Sequence, residues 1–320
     1  MILVWTCRGD KTVDWFIDRH LSHSGIPWVR FDSDAFPEEY KICADLDHIV
    51  VCGRTNKHIF NSAGITSVWY RRNFPSVFQS VVLPPEVLEY ARSEAQSALS
   101  SLNTTLGHAY WVNKPNANQT SSEKLAQLLS ARKEGLRVPK TLITNDPVSA
   151  AEFAHVCGGV VIVKPLRKGT ISLGKVFYST LMSVDDIQAH ADSIAVTPVI
   201  FQEPIKKDYE LRIVVINDEC FGVKIFSQEH EITSVDWRRS PLMLKHKIAD
   251  LPGKIIASCV AITRMCGLVY SAFDFIVTPD GEYVFLEHNP AGQFAWLEEL
   301  TGIPIGRKIL DVLTSPPRER

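Results

Sequence analysis

The sequence predicts an α/β protein, with a parallel unit at its start and an α+β arrangement after it. Three features predict this. The chain opens strand, helix, strand, as a parallel βαβ unit does. A polar, turn-rich stretch at Asn113 to Asn118 then separates this opening from a second run of helices and strands. From Val199 onward the pattern is antiparallel strands joined by hairpin turns. At ~150 residues per domain, 320 residues make about two domains or one large one.

Each element has a local reason. Ile2 to Thr6 is a short apolar strand. Thr12 to Ser24 puts Val13, Phe16, Ile17 and Leu21 at helical spacing and ends before Gly25. Trp28 to Phe31 is the next strand, Thr66 to Arg72 another, and Pro84 to Ser101 a helix. Thr120-Ser121-Ser122-Glu123 has capping-box spacing and opens a helix that runs to Glu134 and stops at Gly135. Asp146-Pro147 is a second N-cap with proline at the first helical position. Gly158-Gly159 leads into the apolar strand Val160 to Lys164. A polar segment with two glycines follows, 167–175, and Val176 to Ser179 resumes as a strand. Leu211 to Ile216 and Cys220 to Ser227 flank a turn at Asn217-Asp218-Glu219. Gly253 to Cys266 is a helix with Gly267 just past its end. Ala272 to Thr278 and Tyr283 to Glu287 flank Asp280-Gly281, a strong hairpin signal. The tail 315–320 is expected to be loose.

Composition removes several classes. Hydrophobic residues make up 45% and charged residues 22%, enough apolar mass for a buried core. Lys and Arg number 34 against 36 Asp and Glu, a formal charge of −2, which argues against a nucleic-acid binder. Met1 to Cys7 is too short for a signal peptide, and no apolar run approaches the ~20 residues of a membrane helix. The seven cysteines form no C-x-x-C pair, so scattered reduced thiols in a cytoplasmic protein are expected rather than a zinc site. There is no P-loop, no G-x-G-x-x-G, no G-x-S-x-G and no H-E-x-x-H.

The two hairpins carry the chemistry. A two-residue turn at Asp280-Gly281 places Asp274 directly opposite Glu287, and alternation turns Asn289 the same way. Like charges facing each other are destabilising. A hard cation with oxygen ligands removes the conflict, and Mg²⁺ takes a carboxylate or two plus substrate phosphates. Solvated polar residues on an exposed face are the alternative. In the earlier hairpin a three-residue turn sets Arg212 against Lys224, as if an anion lay between them. A two-residue turn would unpair them. Lys164 ends an apolar strand and must reach a partner or the surface.

These parts resemble the ATP-grasp fold in their order: a helix lysine, a strand-end Lys-Pro, a polar loop, Gln-Glu-Pro-Ile, Glu-Leu-Arg, then a strand Asp with Glu-x-Asn-Pro. The wording is more specific. RFDSDAFP (30–37), VWYRR (68–72), FQEPI (201–205), ELRIVV (210–215), DWR (236–238) and FLEHNPAGQFAWLE (285–298) resemble the ligases that macrocyclise ribosomally made peptides, the microviridin and graspetide maturases. The resemblance spans nearly the whole chain. It implies an ATP-grasp fold with an N-terminal βαβ pre-ATP-grasp domain at 1–112, a central ATP-grasp subdomain at 113–205, and a C-terminal subdomain with a metal site at 206–320.

It also implies roles, position by position. Lys124 and Lys164 match the lysines that hold the α- and β-phosphates of ATP. Gln202, Glu203, Pro204 and Ile205 match the hinge that meets adenine, and Glu210 the ribose-binding acid. Arg212 matches the arginine near the transferred phosphate, Arg238 one near the acyl phosphate and substrate. Lys224, where a small residue is frequent, would add charge at the phosphates. Asp274, Glu287 and Asn289 match the Mg²⁺ ligands, and 167–175 the mobile cover over the nucleotide. His288 and Gln293 depart from the usual pattern, and alternation turns His288 away from the metal. The implied partner is a precursor peptide with a leader and an acid- and Thr/Ser-rich core. Its Glu or Asp side chains would be phosphorylated and joined to Thr/Ser hydroxyls or Lys amines. The leader would dock around 170–190, with Asp185 and Asp186 as candidates beside their ordinary use at a helix N-terminus. A homodimer is implied, with no nucleic acid and no membrane. Two alternatives stay open: a ligase that adds amino acids to a protein tail or joins small molecules, and a non-catalytic ATP-dependent peptide-binding partner.

Overall fold

The computed structural model describes residues 1–72, 78, 80, 82–167, 178–239 and 244–315. Among them the strands form four sheets. The opening βαβ is parallel as expected: Ile2–Thr6 pairs with Trp28–Asp32 on one side and Ser67–Tyr70 on the other, and Tyr110–Val112 joins at the edge. Asp10 starts the first helix, its carboxylate accepting from the backbone N–H groups of Thr12 and Val13. That helix, Lys11–Phe16, continues over Ile17–Leu21 as a widened turn in which the N–H of Ser22 reaches the carbonyl of Ile17. A three-stranded antiparallel sheet, Tyr40–Ala44, Ile49–Gly53 and His58–Asn61, was not anticipated. Its strands are half exposed and short, so their alternation is weak.

The middle of the chain departs from expectation in two places. The stretch expected to be turn is partly a helix, Pro115–Thr120, with proline in its first turn. Thr120 therefore ends that helix, its hydroxyl donating back to the carbonyl of Asn116, and forms no capping box. The next helix is Lys124–Lys133, without a side-chain cap. The Asp146 cap is present and accepts from Val148 and Ser149. The central sheet runs in the order Thr180–Ser183, Val160–Lys164, Val199–Gln202, Thr141–Thr144, all antiparallel. Residues 176 and 177 of the expected strand at 176–179 and all but Arg167 of the 167–175 segment lie outside the described residues, as does the tail 316–320.

The C-terminal sheet has five antiparallel strands, with Tyr209–Ile216 at its centre between Glu219–Ile225 and Tyr270–Val277, and Tyr283–Asn289 and His246–Ile248 at its edges. Asp274 does lie opposite Glu287. The register arrives there by compensation. The turn is three residues, Pro279-Asp280-Gly281, with Gly281 at φ +83°. That shifts the pairing by one, and a bulge between Asp274 and Phe275 restores it. The other hairpin closes with two residues, Asn217 taking φ +52°. Arg212 then faces Val223, and Lys224 faces Leu211. The expected Arg212–Lys224 pairing is therefore not formed.

One face of this sheet buries Leu211, Ile213, Val215, Phe273, Phe275 and Val277 against the helices Gly253–Met265 and Lys124–Lys133. Each such large side chain contributes about 1.5–3 kcal/mol on burial. The other face divides along its length. At one end Val214, Ile216, Tyr270 and Ala272 pack into a core shared with Ile2, Val4 and Trp69 of the parallel sheet and Phe16 of the first helix. At the other end the same face carries Glu210, Arg212, Asp274 and Glu287.

Candidate active site

The polar end of that face begins with a buried ion pair. Arg212 and Asp274 are cross-strand neighbours, and Nη1 of Arg212 donates to both carboxylate oxygens at 2.8 and 2.7 Å. Burial raises the Asp274 carboxyl, Arg212 opposes that, and Glu287 adds to it. Nη2 of Arg212 reaches the carbonyl of Gln293 at 3.4 Å, while its buried Nε has no partner among the described residues. Gly292 makes this close approach feasible. A Cβ there would lie 2.5 Å from the Cβ of Ala272 and 2.7 Å from Nη2 of Arg212.

Glu287 forms the second half. The ammonium of Lys124, at the first residue of its helix, donates to a Glu287 oxygen. Burial alone would raise this carboxyl, but Lys124 and Lys164 more than offset it and bring it down to about 2. Lys164, at the end of its strand, is brought down to about 8 by desolvation, with Glu287 opposing and Lys124 and Arg238 adding to the shift. Asn289 stands opposite Ala272 on the same face, its amide oxygen accepting from the N–H of Ala291 at 3.0 Å. Two carboxylates and an amide oxygen are a hard, all-oxygen donor set. Such a set fits Mg²⁺, which takes one or two carboxylates and completes its shell with water or substrate phosphate.

The hinge joins the central sheet to this one. Gln202 ends its strand buried, its amide donating to the Thr141 hydroxyl at 2.9 Å. The N–H of Glu203 donates to the carbonyl of Lys140 at 3.1 Å, and Pro204 and Ile205 continue as irregular chain. Glu210 is buried and accepts from Lys207 at 2.8 Å, and Lys207 also donates to the carbonyl of Val235 at 3.0 Å. Burial raises the Glu210 carboxyl, partly offset by Lys207.

Arg238 is half exposed, and both its Nε and Nη2 donate to the buried Asp236 at 2.8 and 2.6 Å. Asp236 also accepts from the N–H of Ser179 at 3.1 Å. It thereby ties the arginine to the chain that emerges from the 167–175 segment.

Lys224 is not brought into this group. The shorter turn puts it on the Leu211 face, where its ammonium lies 4.6 Å from the Tyr209 ring centre. His288 faces away from Glu287, as alternation requires. It is 3% exposed, bonded through Nδ1 to Ser271 and stacked on Phe273, and burial brings it down to about 4. Asp186 completes a capping box with Ser183, an ordinary use of an acid at a helix start. Asp236 stands in the sequence only as part of the DWR stretch, and neither Lys207 nor Gln127 has an expected role there. A lysine three residues before a strand acid was a readable signal. Gln127 offered none.

Two family models match the chain: the MvdD pre-ATP grasp domain over residues 1–119 and the RimK-like ATP-grasp domain over 121–313. Among solved structures, the Chryseobacterium gregarium RiPP-associated ATP-grasp ligase in complex with ADP and a leader and core peptide is similar, with TM-score 0.88 and 27% identity. That likeness covers 100% of this chain and 98% of the other. The macrocyclase MdnC of Microcystis aeruginosa MRC, bound with precursor peptide MdnA, has TM-score 0.85 and 28% identity over 98% of this chain and 99% of that one. A curated relative, the probable alpha-L-glutamate ligase of Enterobacter sp. (strain 638), is 22% identical over 216 residues, 63% of this chain. The chain spans 66% of that protein's length, just under two thirds.

Proposed function

The chain belongs to the RimK-like ATP-grasp family, behind an MvdD pre-ATP-grasp domain, and on that premise we propose that it is an ATP-dependent peptide macrocyclase. The observation that carries the reading is the polar end of the five-stranded sheet, where Lys124, Lys164, Arg212, Asp274 and Glu287 converge on one face. The whole-length likeness to a ligase and a macrocyclase that were each solved with a peptide, both above 25% identity, supports a peptide as substrate.

In this reading the hinge Gln202–Ile205 meets the adenine and Glu210 the ribose. Lys124 and Lys164 hold the polyphosphate, and Glu287 exchanges their ammonium groups for the nucleotide's charge. A Glu or Asp carboxylate of the precursor attacks the γ-phosphorus, forming an acyl phosphate and releasing ADP. Arg212 neutralises the transferred phosphoryl oxygens and Arg238 orients the carboxylate. A Thr or Ser hydroxyl of the same peptide, or a Lys amine, then attacks the acyl carbon. The product is an ω-ester or ω-amide, and inorganic phosphate leaves. Asp274, Glu287 and Asn289 would hold Mg²⁺, which when bound supplies charge neutralisation at the phosphates. ATP and a ribosomally made precursor meet in the cytoplasm, the location this reading implies. It also implies a homodimer, which sedimentation would test.

The test is the intact mass of an acid- and Thr/Ser-rich candidate precursor after incubation with this protein and Mg-ATP. Loss of one or more waters is expected, and Lys164→Ala should abolish it. ATP consumption with mass added to a peptide or free amino acid acceptor would replace this reading with intermolecular ligation. ADP release with no mass change would favour a non-catalytic peptide-binding role.

A further inference from the structure

Around Lys124 the contact between the helix Lys124–Lys133 and the strand Tyr283–Asn289 is polar. Gln127, one helical turn after Lys124, is 5% exposed. Its Nε2 donates to the carbonyl of His288 at 2.8 Å and to that of Ser121 at 2.6 Å. Its Oε1 accepts from the N–H of His288 at 3.2 Å. A single side-chain amide thus pairs with both backbone groups of one strand residue, as a neighbouring strand would. The same amide holds the turn that leads into the helix.

The apolar part of this contact cannot set register. Leu128 and Ala131 are buried in the core beneath the sheet, but apolar attraction is non-directional. The strand's own register is fixed by its ladder with Tyr270–Val277, so what the apolar contact leaves free is the position of the helix along the strand. A shift of the helix would part Lys124 from Glu287, which is the immediate neighbour of His288. Two directional hydrogen bonds to His288 oppose that shift. They also limit where a long, flexible lysine stem can place its ammonium.

We propose that Gln127 is the positioning residue of the nucleotide site: by gripping His288 it sets Lys124 against Glu287, where the polyphosphate is held. This deepens the ATP reading and rests on it. Gln127 itself touches no phosphate in this assignment; it acts through Lys124.

The experiment is a double-mutant cycle on ADP affinity, measured by calorimetry with ADP and Mg²⁺ on the full chain. Gln127→Met keeps the side chain's length and removes its hydrogen bonds. It should weaken ADP binding ~10-fold in the wild-type background, the order expected for one or two lost hydrogen bonds. In the Lys124→Met background the same change should cost less than about 2-fold, because the residue it positions is gone. Equal losses in both backgrounds, or no loss in the wild-type background, would overturn the assignment. A wild-type protein that binds no ADP would overturn the ATP reading and this one with it, whereas binding without coupling overturns only the role of Gln127. If Gln127→Met does not fold, Gln127→Asn, one methylene short of His288, carries the same cycle.

Discussion

Lys164 is the residue whose titration has a readable consequence. Desolvation holds its ammonium down to about 8 in the free protein. A bound polyphosphate favours the charged form. Below that pH the lysine is already protonated, and nucleotide affinity should be flat with respect to this group. Above it, binding must take up a proton, and affinity should fall by up to about tenfold per pH unit. Calorimetry from pH 7 to 9.5 would show the slope, and Lys164→Met should remove it. A slope that survives the substitution belongs to another group. Glu287 does not confuse this window, because Lys124 and Lys164 keep it ionised far below it.

At the scale of the element, the hairpins decide which side chains meet. The two-residue turn at Asn217-Asp218 sends Lys224 to the face opposite Arg212. Lys224→Met should therefore leave kcat for ring formation within about 2-fold of wild type, at a cost of about 0.5–1 kcal/mol from the lost contact with Tyr209. A tenfold fall in kcat would return Lys224 to the phosphates. The loop after Asn289 makes the opposite case. Gly292→Ala would push a methyl into Ala272 and Nη2 of Arg212. It should cost about 1–3 kcal/mol of stability by overpacking. Its larger effect should be on turnover, because the guanidinium must move from Asp274. Chemical unfolding and single-turnover kinetics on one preparation separate the two effects.

The molecule as a whole is joined by a core that both ends of the chain build. Ile2, Val4 and Trp69 of the parallel sheet pack with Val214, Tyr270, Phe294 and Ile309 from the last third. Ser67 donates to the carbonyl of Leu313 at 2.7 Å across the same junction. A buried ion pair anchors it near the site: Nε of Arg71 donates to Asp10 at 3.2 Å, and Nη1 to the carbonyl of Gly292 at 3.1 Å. Arg71→Met would leave Asp10 charged and buried without its partner, at a cost of about 3–5 kcal/mol. Urea unfolding should show one transition shifted to lower denaturant. An early separate loss of the parallel unit would mean the two ends fold independently.

Much of this was legible in the residues. The parallel βαβ opening follows from two short apolar runs on either side of an apolar 3.6 period that ends before Gly25, which are local properties. The strand-end position of Lys164, the Asp146 cap and the shared face of Asp274, Glu287 and Asn289 rest on alternation and on nearby turn residues. What only the tertiary structure decided is register and long-range pairing. A three-residue turn and a bulge cancel at Asp274, so a correct pairing came from an incomplete premise, while one residue fewer in the other turn separated Arg212 from Lys224. The grip of Gln127 on His288 spans 161 positions of sequence, and Asp236 reaches Ser179 across 57. No local period encodes such pairs, because their geometry exists only once the core has brought the two segments within hydrogen-bonding reach.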